Sequence, residues 1–177
     1  MSRERGIAQS KLHSRIVDEI GDYLLRDIRE KVNNDFVAED KLTLSECLKE
    51  QYDHWSLSRP SWPKNCGVCL DSQSGRFEKI IFGVVAPDPK AEKVKSNERC
   101  EARAQLETLS KKVVGGRKDE WWPWWQFTAI KDWSPEFAAR VVIESSRGEV
   151  GQHPDIQELA RRIVQLAEAV EEALREH

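Results

Sequence analysis

The tryptophans are the feature of this chain that most restricts its fold. Five of the seven lie within thirteen residues, at Trp121, Trp122, Trp124, Trp125 and Trp133. An indole buries a large apolar area but keeps an N–H group that needs an acceptor, so closely spaced rings cannot all be interior without several matched partners. The cluster therefore predicts either a heavy core plug or an aromatic binding surface.

Strand alternation divides this run between two faces. We predict a strand over residues 124–130, entered through a proline whose missing N–H suits the start or the edge of a strand. Trp125 and Phe127 are expected to face the core. Trp122 and Trp124 are expected on the opposite, accessible face, where a partner can reach them.

Length and charge describe an ordinary soluble protein. The 177 residues fit a single domain, and a net charge of -3 argues against both a generally basic nucleic-acid binder and a densely acidic DNA mimic. No apolar run approaches the roughly 20 residues that cross a bilayer, and no apolar segment follows the first charges. We expect a cytoplasmic protein without a membrane contact.

Apolar residues at three- and four-residue spacing predict long helices at both ends of the chain. The first covers residues 7–32, and the last opens at His153-Pro154-Asp155. A capped start at Ser134-Pro135-Glu136 predicts another helix, which gives a helical C-terminal region over residues 135–175. A polar central helix over 96–114 and a short one over 44–52 complete the set.

The last helix carries an apolar stripe that has two explanations. Its members are Ile156, Leu159, Ala160, Ile163, Leu166, Ala167, Val170 and Leu174. Because several of them fall seven apart, the helix could form a coiled-coil homodimer. Fewer than four heptads are present, which favours packing against the sheet of the same chain. The protein is expected to be a monomer or a homodimer through this helix.

The middle of the chain, residues 66–130, is rich in strands. Runs at Cys66 to Leu70 and Lys79 to Val85 flank the turn-like segment 71–76 and predict a β-hairpin, preceded by a proline-containing loop over 59–65. With the tryptophan strand, the element order predicts an α+β fold. Its sheet is small and mainly antiparallel, with about three strands, and packs with N-terminal, central and C-terminal helices.

The cysteines are expected to be free or buried thiols, because a reducing compartment disfavours disulfides. They are Cys47, Cys66, Cys69 and Cys100. Cys66-x-x-Cys69 is the one spacing that resembles metal ligation, and Cys47, Cys100 or His54 could complete a zinc site. A second closely spaced pair is missing, and strand packing explains small apolar cysteines equally well. We therefore predict no metal and no cofactor.

No catalytic residue is predicted from the sequence. The four histidines, His13, His54, His153 and His177, do not stand beside a serine or cysteine in a nucleophile setting. Gly115-Gly116 before Arg117-Lys118 resembles half of a phosphate loop, but the remaining spacing is absent. We interpret the glycines as a helix stop followed by a turn. A metal-dependent hydrolase with unrecognised ligands stays open as an alternative.

A locally basic stretch allows a nucleic-acid hypothesis. Its residues are Lys90, Lys93, Lys95, Arg99, Arg103, Lys111, Lys112, Arg117 and Lys118. Beside the tryptophans, Lys111, Lys112, Arg117 and Lys118 could follow a single-stranded backbone while the rings stack on bases. Interleaved acids dilute the charge, which favours a solvated helix face beside a structural plug.

From about Cys66 onward the chain resembles the non-catalytic C-terminal region of bacterial and phage PD-(D/E)XK-superfamily nuclease-like proteins. There a strand pair precedes a Trp-Pro-aromatic motif, a downstream tryptophan and a closing amphipathic helix. The matching residues are Ile80-Ile81-Phe82-Gly83, Trp122-Pro123-Trp124, Trp133 and the helix from Asp155.

The nuclease core of such proteins is not evident in this sequence. Its site needs carboxylates and a lysine that converge on strands to hold a metal ion and water. Asp88-Pro89-Lys90 and Glu39-Asp40-Lys41 contain the right residue types but fall in predicted loops. The resemblance therefore transfers no catalytic residue, and the metal-dependent nuclease remains only an alternative.

The lead hypothesis is a non-enzymatic protein that docks on a macromolecular partner. The predicted contact residues are Trp121, Trp122, Trp124 and Trp133. Exposed tryptophan is enriched at binding hot spots because one ring desolvates a large area with little rotamer loss. A protein partner is favoured, and single-stranded nucleic acid is the alternative. We expect an accessory or inhibitor of a nucleic-acid-processing, phage-defence or anti-defence complex.

Overall fold

The structure, a computed structural model, describes residues 3–39, 42–51, 53–87, 97–145 and 149–175. In chain order its elements are α1 (Arg3–Lys31), β1 (Val37–Ala38), α2 (Leu44–Lys49), β2 (His54–Ser58), β3 (Gly67–Ser72), β4 (Ile80–Val85), α3 (Asn97–Glu107), α4 (Leu109–Lys112), β5 (Trp124–Phe127), α5 (Pro135–Glu144), a short 3-10 turn (Val150–Gln152) and α6 (Pro154–Arg175). The sequence Arg147-Gly148 predicts the end of α5, and these two residues lie outside the described ranges.

The strands form one antiparallel sheet in which sequence neighbours are also sheet neighbours, from β1 to β5. The α+β class and the antiparallel sheet are confirmed, but the expected number of about three strands is wrong, since five are present. The strands missed are β1, which has two residues, and β2. In β2, the buried residues Trp55 and Leu57 alternate with Ser56 and Ser58, which are buried as well.

Helices cover one face of the sheet, called here the helix-side face. α1 packs against α2, α5 and α6, while α3 and α4 pack against α6. Alternate strand residues project into this layer, as the period of two requires. They are Trp55, Leu57, Val68, Leu70, Ile80, Phe82, Val84 and Trp124. The opposite face of the sheet is called the second face.

The apolar stripe of α6 is buried within its own chain. Ile156, Ile163 and Val170 are at most 3% exposed and belong to the main core. The packing alternative is therefore correct for this stripe, because α1 and the sheet occupy the seam that a coiled coil would use. Among the described helices, none combines the length and apolar content of a bilayer crossing.

Local capping signals set several helix starts. Thr43 and Glu46 form the reciprocal capping box of α2, and Ser134 caps α5 with Pro135 at its first position. The predicted central helix is instead two helices. Thr108 lies between α3 and α4 and donates its hydroxyl to the carbonyl of Gln105, a side-chain bond that competes with regular helix geometry.

The β3–β4 turn begins later than predicted. Asp71 and Ser72, expected in the turn, continue β3. Beyond them, four residues adopt a left-handed backbone conformation: Gly75, Arg76, Phe77 and Lys79. Backbone bonds from Arg76 to Lys49 and from Phe77 to Leu48, both 2.8 Å, hold this turn against α2. Tertiary bonding therefore maintains a conformation that local propensity disfavours.

A partly buried ionic cluster joins the predicted loop at 59–65 to α6. Arg59 contacts Asp35 at 2.8 Å and Glu171 at 2.6 Å, and the Nε1 of Trp62 donates to Glu171 at 2.6 Å. Burial by itself raises the pKa of Glu171, but bonds from Trp62, Arg59 and Arg175 outweigh it and the pKa is lowered. The cluster anchors the loop and keeps Glu171 ionised.

Candidate binding surface

β5 sends neighbouring rings to opposite faces of the sheet. Trp124 is 0% exposed, packs against Phe82 with ring centroids 5.4 Å apart, and donates its Nε1–H to the carbonyl of Val113 at 3.3 Å. Trp125 and Phe127 are half-buried and lie outside the main core. The predicted face assignment is wrong, because periodicity separates two faces but does not say which of them the helices cover.

Trp124 also explains the adjacent glycine pair. A Cβ atom on Gly116 would lie 1.9 Å from the Trp124 Nε1, while Gly115 adopts a φ of +88°. The second glycine lets the backbone pass against the indole, and the first supplies the left-handed turn after α4. The interpretation as a helix stop and turn is correct.

Trp133 is a core residue and not an exposed contact. It is 1% exposed, and its Nε1 donates to the carbonyl of Ile130 at 3.1 Å. Its own carbonyl lies 2.7 Å from the Nε2 of His13 in α1. The expectation of an accessible ring is therefore wrong for Trp133 as it is for Trp124, since the chain after β5 turns under the helix layer.

Trp121 and Trp122 lie on a braced turn just before β5. The Asp119 carboxylate accepts bonds from both tryptophan amides at 2.9 Å, and the Asp119 amide donates to the carbonyl of Trp122 at 3.0 Å. Trp121 is 65% exposed, the highest exposure of any tryptophan in the described chain. The turn holds both residues in a fixed backbone conformation.

Trp122 reaches across the second face. Its ring lies 6.1 Å from that of His54 in β2, although three strand spacings, about 14 Å in a flat sheet, separate β2 from β5. The cross-strand row beneath this path is formed by Ser56, Cys69 and Gly83. Small residues in that row leave room for a ring above the sheet.

A buried carboxyl group lies beside this path. Asp71 pairs in register with His54, is 2% exposed, and accepts a 2.6 Å bond from the Gln73 side chain. Burial raises the pKa of Asp71, and the nearby charge of Asp53 acts in the same direction, against the bond from Gln73 and the influence of His54. Its ionised form is therefore less favourable in the folded protein than in water.

The two cysteines of the Cys66-x-x-Cys69 pair lie on different sides of the sheet. Cys66 belongs to the helix-side core, whereas Cys69 lies on the second face and outside that core. Burial raises the pKa of Cys66 to about 12 and that of Cys69 well above its usual value, which keeps both as thiols. Cys47, Cys66 and Cys69 are buried, as expected. The Cys100 side chain lies outside the description.

The described residues contain no group of three or more histidine, cysteine or acidic side chains placed to hold a metal ion. His13 and His153 are buried and bonded, to the carbonyl of Trp133 and to Glu144 respectively. Asp40, Lys41, residues 88–90 and His177 lie outside the described ranges.

Those of the predicted basic residues that the structure describes do not form one continuous track. Lys112 pairs with Glu172 at 3.3 Å, and Lys118 pairs with Glu107 at 3.8 Å. Arg103 also pairs with Glu107, at 3.4 Å, and Lys111 is exposed on α4. Lys90, Lys93, Lys95 and the side chain of Arg99 lie outside the description. Neighbouring acids thus occupy most of the cations near the tryptophans.

Sequence spacing does not predict the cation–aromatic row on the second face. The Arg117 guanidinium lies 5.7 Å above the Trp125 ring, the Trp125 and Phe127 rings meet edge to face at 5.4 Å, and the Lys131 ammonium lies 4.8 Å above Phe127. Arg117 is placed by an antiparallel bridge to Trp125. Tertiary pairing therefore assembles the row from residues without regular spacing.

Four residues thus remain as the aromatic part of an accessible surface: Trp121, Trp122, Trp125 and Phe127, called here the docking surface. Trp125 Nε1 is the one buried side-chain nitrogen or oxygen in the described residues that has no hydrogen-bond partner. The chain matches no protein-family model, and it shows no significant similarity to a curated protein or to a solved structure.

Proposed function

We propose that this chain is a non-enzymatic binding protein that docks on a protein partner through the docking surface. The observation that carries the proposal is the exposed ring of Trp121 on a braced turn, beside the half-buried rings of Trp122, Trp125 and Phe127. Tryptophan and phenylalanine desolvate large areas on contact, so an aromatic patch of this kind supplies the energetic centre of an interface.

Preorganisation strengthens the proposal. The two bonds to Asp119 fix the backbone of Trp121 and Trp122 before any partner arrives. An indole has only two rotatable side-chain bonds, so little conformational entropy is lost when it is immobilised. The fixed turn therefore favours direct docking of a formed surface over folding of the segment on contact.

Charge pairing favours a protein over single-stranded nucleic acid. Two of the lysines that would follow a phosphate backbone, Lys112 and Lys118, pair with acids of the same chain. A backbone track needs cations that are available to phosphates along its length. We further propose, from the resemblance to nuclease-like proteins, that the partner belongs to a nucleic-acid-processing or defence complex, in which this chain is an accessory or an inhibitor.

Affinity capture from the native cell tests the docking surface. The tagged wild-type protein is compared with Trp121→Ala, Trp122→Ala and a matched control, Leu12→Ala, which removes a 56% exposed apolar side chain from α1. We expect one co-purifying protein to be lost with the tryptophan variants and kept with the control. As a folding control, both tryptophan variants must unfold at the wild-type temperature. If both of them still recover that protein at the wild-type level, the proposal is contradicted.

A further inference from the structure

The cation–aromatic row contains two cations whose charge is not neutralised within the described protein. Arg117 and Lys131 lie over rings and take part in no ion pair there, in contrast to Lys112 and Lys118. A cation above a ring keeps most of its capacity to attract an anion, because the ring supplies only part of the lost hydration. The row is therefore open to an anionic group at both ends.

The acids next to these cations in sequence are directed elsewhere. Asp132 accepts the backbone amide of Lys79 at 3.0 Å, and Asp119 accepts the amides of its own turn. Neither carboxylate pairs with the cation near it in the chain. Local geometry thus separates the cations from acids that the sequence places only one or two residues away.

The ring geometry favours carboxylates over stacked bases. Base stacking requires an open ring face, but Arg117 covers a face of Trp125 and Lys131 covers a face of Phe127. Ring edges carry partial positive charge and attract acceptor oxygens. A partner that brings separate carboxylates to the two cations makes use of both features.

From this arrangement we infer that the docking surface recognises an acidic protein segment, whose aspartate or glutamate side chains pair with Arg117 and Lys131 across the rings of Trp125 and Phe127. The inference rests on the proposed function and adds the chemistry of the partner to it. It gives the half-buried rings and the two unneutralised cations one shared role.

Direct binding of short probes tests this inference. The full chain is titrated at low salt with a fluorescently labelled peptide of eight glutamates, with the glutamine version of that peptide, and with an oligothymidylate of equal charge. We expect saturable binding of the glutamate peptide that weakens as salt rises, since exposed ion pairs are screened. The glutamine peptide is expected not to bind, and the oligothymidylate is expected to bind more weakly than the glutamate peptide.

Charge variants assign the binding to the row. Arg117→Gln and Lys131→Gln are each expected to weaken the glutamate peptide about two- to fivefold, as for one exposed ion pair. Arg117→Lys keeps the charge and most of the binding. Lys64→Gln, which makes the same charge change at an exposed loop residue, is expected to have no effect.

Three results overturn the inference: no saturable binding of the glutamate peptide up to about 1 mM, equal weakening by Lys64→Gln, or tighter binding of the oligothymidylate. The last result favours nucleic acid as the partner. If Trp121→Ala loses the captured protein while Arg117→Gln and Lys131→Gln keep it, the docking surface stands and only the acidic chemistry fails.

Discussion

The two faces of β5 place residues of one type in opposite environments. Trp124 is fully buried on the helix-side face, with its indole bonded to Val113, whereas Trp125, the next residue, lies half-buried on the second face beneath Arg117. The two residues also meet different neighbours on β4: Trp124 lies opposite Val84 and packs on the Phe82 ring, while Trp125 lies opposite Gly83. A dense aromatic cluster can therefore supply a core and an accessible surface at once.

One carboxylate on each side of the sheet shows a related difference. Glu171, in the helix layer, is partly buried and receives bonds from Arg59, Arg175 and Trp62, and its pKa is lowered. Asp71, on the second face, is buried and receives one neutral side-chain donor, and burial raises its pKa. The carboxylate in the helix layer is thus compensated by cations, and the carboxylate on the second face is not.

Removing the rings one at a time should give the largest contrast. Trp124→Ala and Trp133→Ala are each expected to lower the free energy of unfolding by about 3–5 kcal/mol, because each leaves a cavity in the core. Trp121→Ala is expected to change it by less than about 0.5 kcal/mol. Urea unfolding followed by circular dichroism measures all three. Equal losses of unfolding free energy in Trp121→Ala and Trp124→Ala would contradict the distinction between the faces.

The glycine pair offers a smaller contrast. Gly116→Ala is expected to cost about 1–3 kcal/mol, because the new Cβ overlaps the rigid indole of Trp124. Gly115→Ala should cost about 1 kcal/mol through its left-handed backbone alone. The same unfolding measurement applies. A neutral Gly116→Ala would mean that the Trp124 ring does not pack against this backbone.

The carboxylates should give the smallest effects, with opposite dependence on pH. The lowered pKa of Glu171 adds stability above its unfolded value of about 4.5, and this is lost as pH falls through the folded pKa. The raised pKa of Asp71 adds stability below about 3.8, which is lost as pH rises through the folded pKa. The free energies of unfolding of Glu171→Gln and Asp71→Asn, measured between pH 3 and 7, test this difference. Each variant is expected to differ from wild type by on the order of 1 kcal/mol.

Relative to wild type, the deficit of Glu171→Gln should shrink on acidification. The free energy of unfolding of Asp71→Asn should instead rise relative to that of wild type as pH rises, because the substitution removes a carboxylate whose ionised form is disfavoured by burial. Parallel pH profiles for the two variants would remove the electrostatic part of the comparison between the faces.

Local signals made much of the fold predictable. The apolar spacing of α1 and α6, the capped helix start at Ser134-Pro135-Glu136 and the β3–β4 hairpin depend on neighbours in sequence, and all four are present. The strand β2 was missed although polar and apolar residues alternate along it, because its five residues carry only two large apolar side chains, Trp55 and Leu57. Its burial depends on neighbours that only the tertiary structure supplies.

The candidate site was predictable only in part. The tryptophan cluster marked the right segment and the exposure of Trp121, but the face of β5 that the helices cover depends on tertiary packing. For the same reason Trp124 was expected outside the core and Trp125 inside it. Arg117 meets Trp125 through an antiparallel bridge, and Lys131 meets Phe127 after the chain leaves β5, so neither contact follows from strand periodicity.

Hydrogen exchange of the indole N–H groups, followed by nuclear magnetic resonance, tests the division of the tryptophans most directly. The N–H groups of Trp124 and Trp133 are buried and bonded to backbone carbonyls, so we expect them to exchange only by opening of the core. The N–H of Trp121 is expected to exchange orders of magnitude faster. Exchange of Trp124 as fast as Trp121, or protection of Trp121 equal to that of Trp124, would contradict the account.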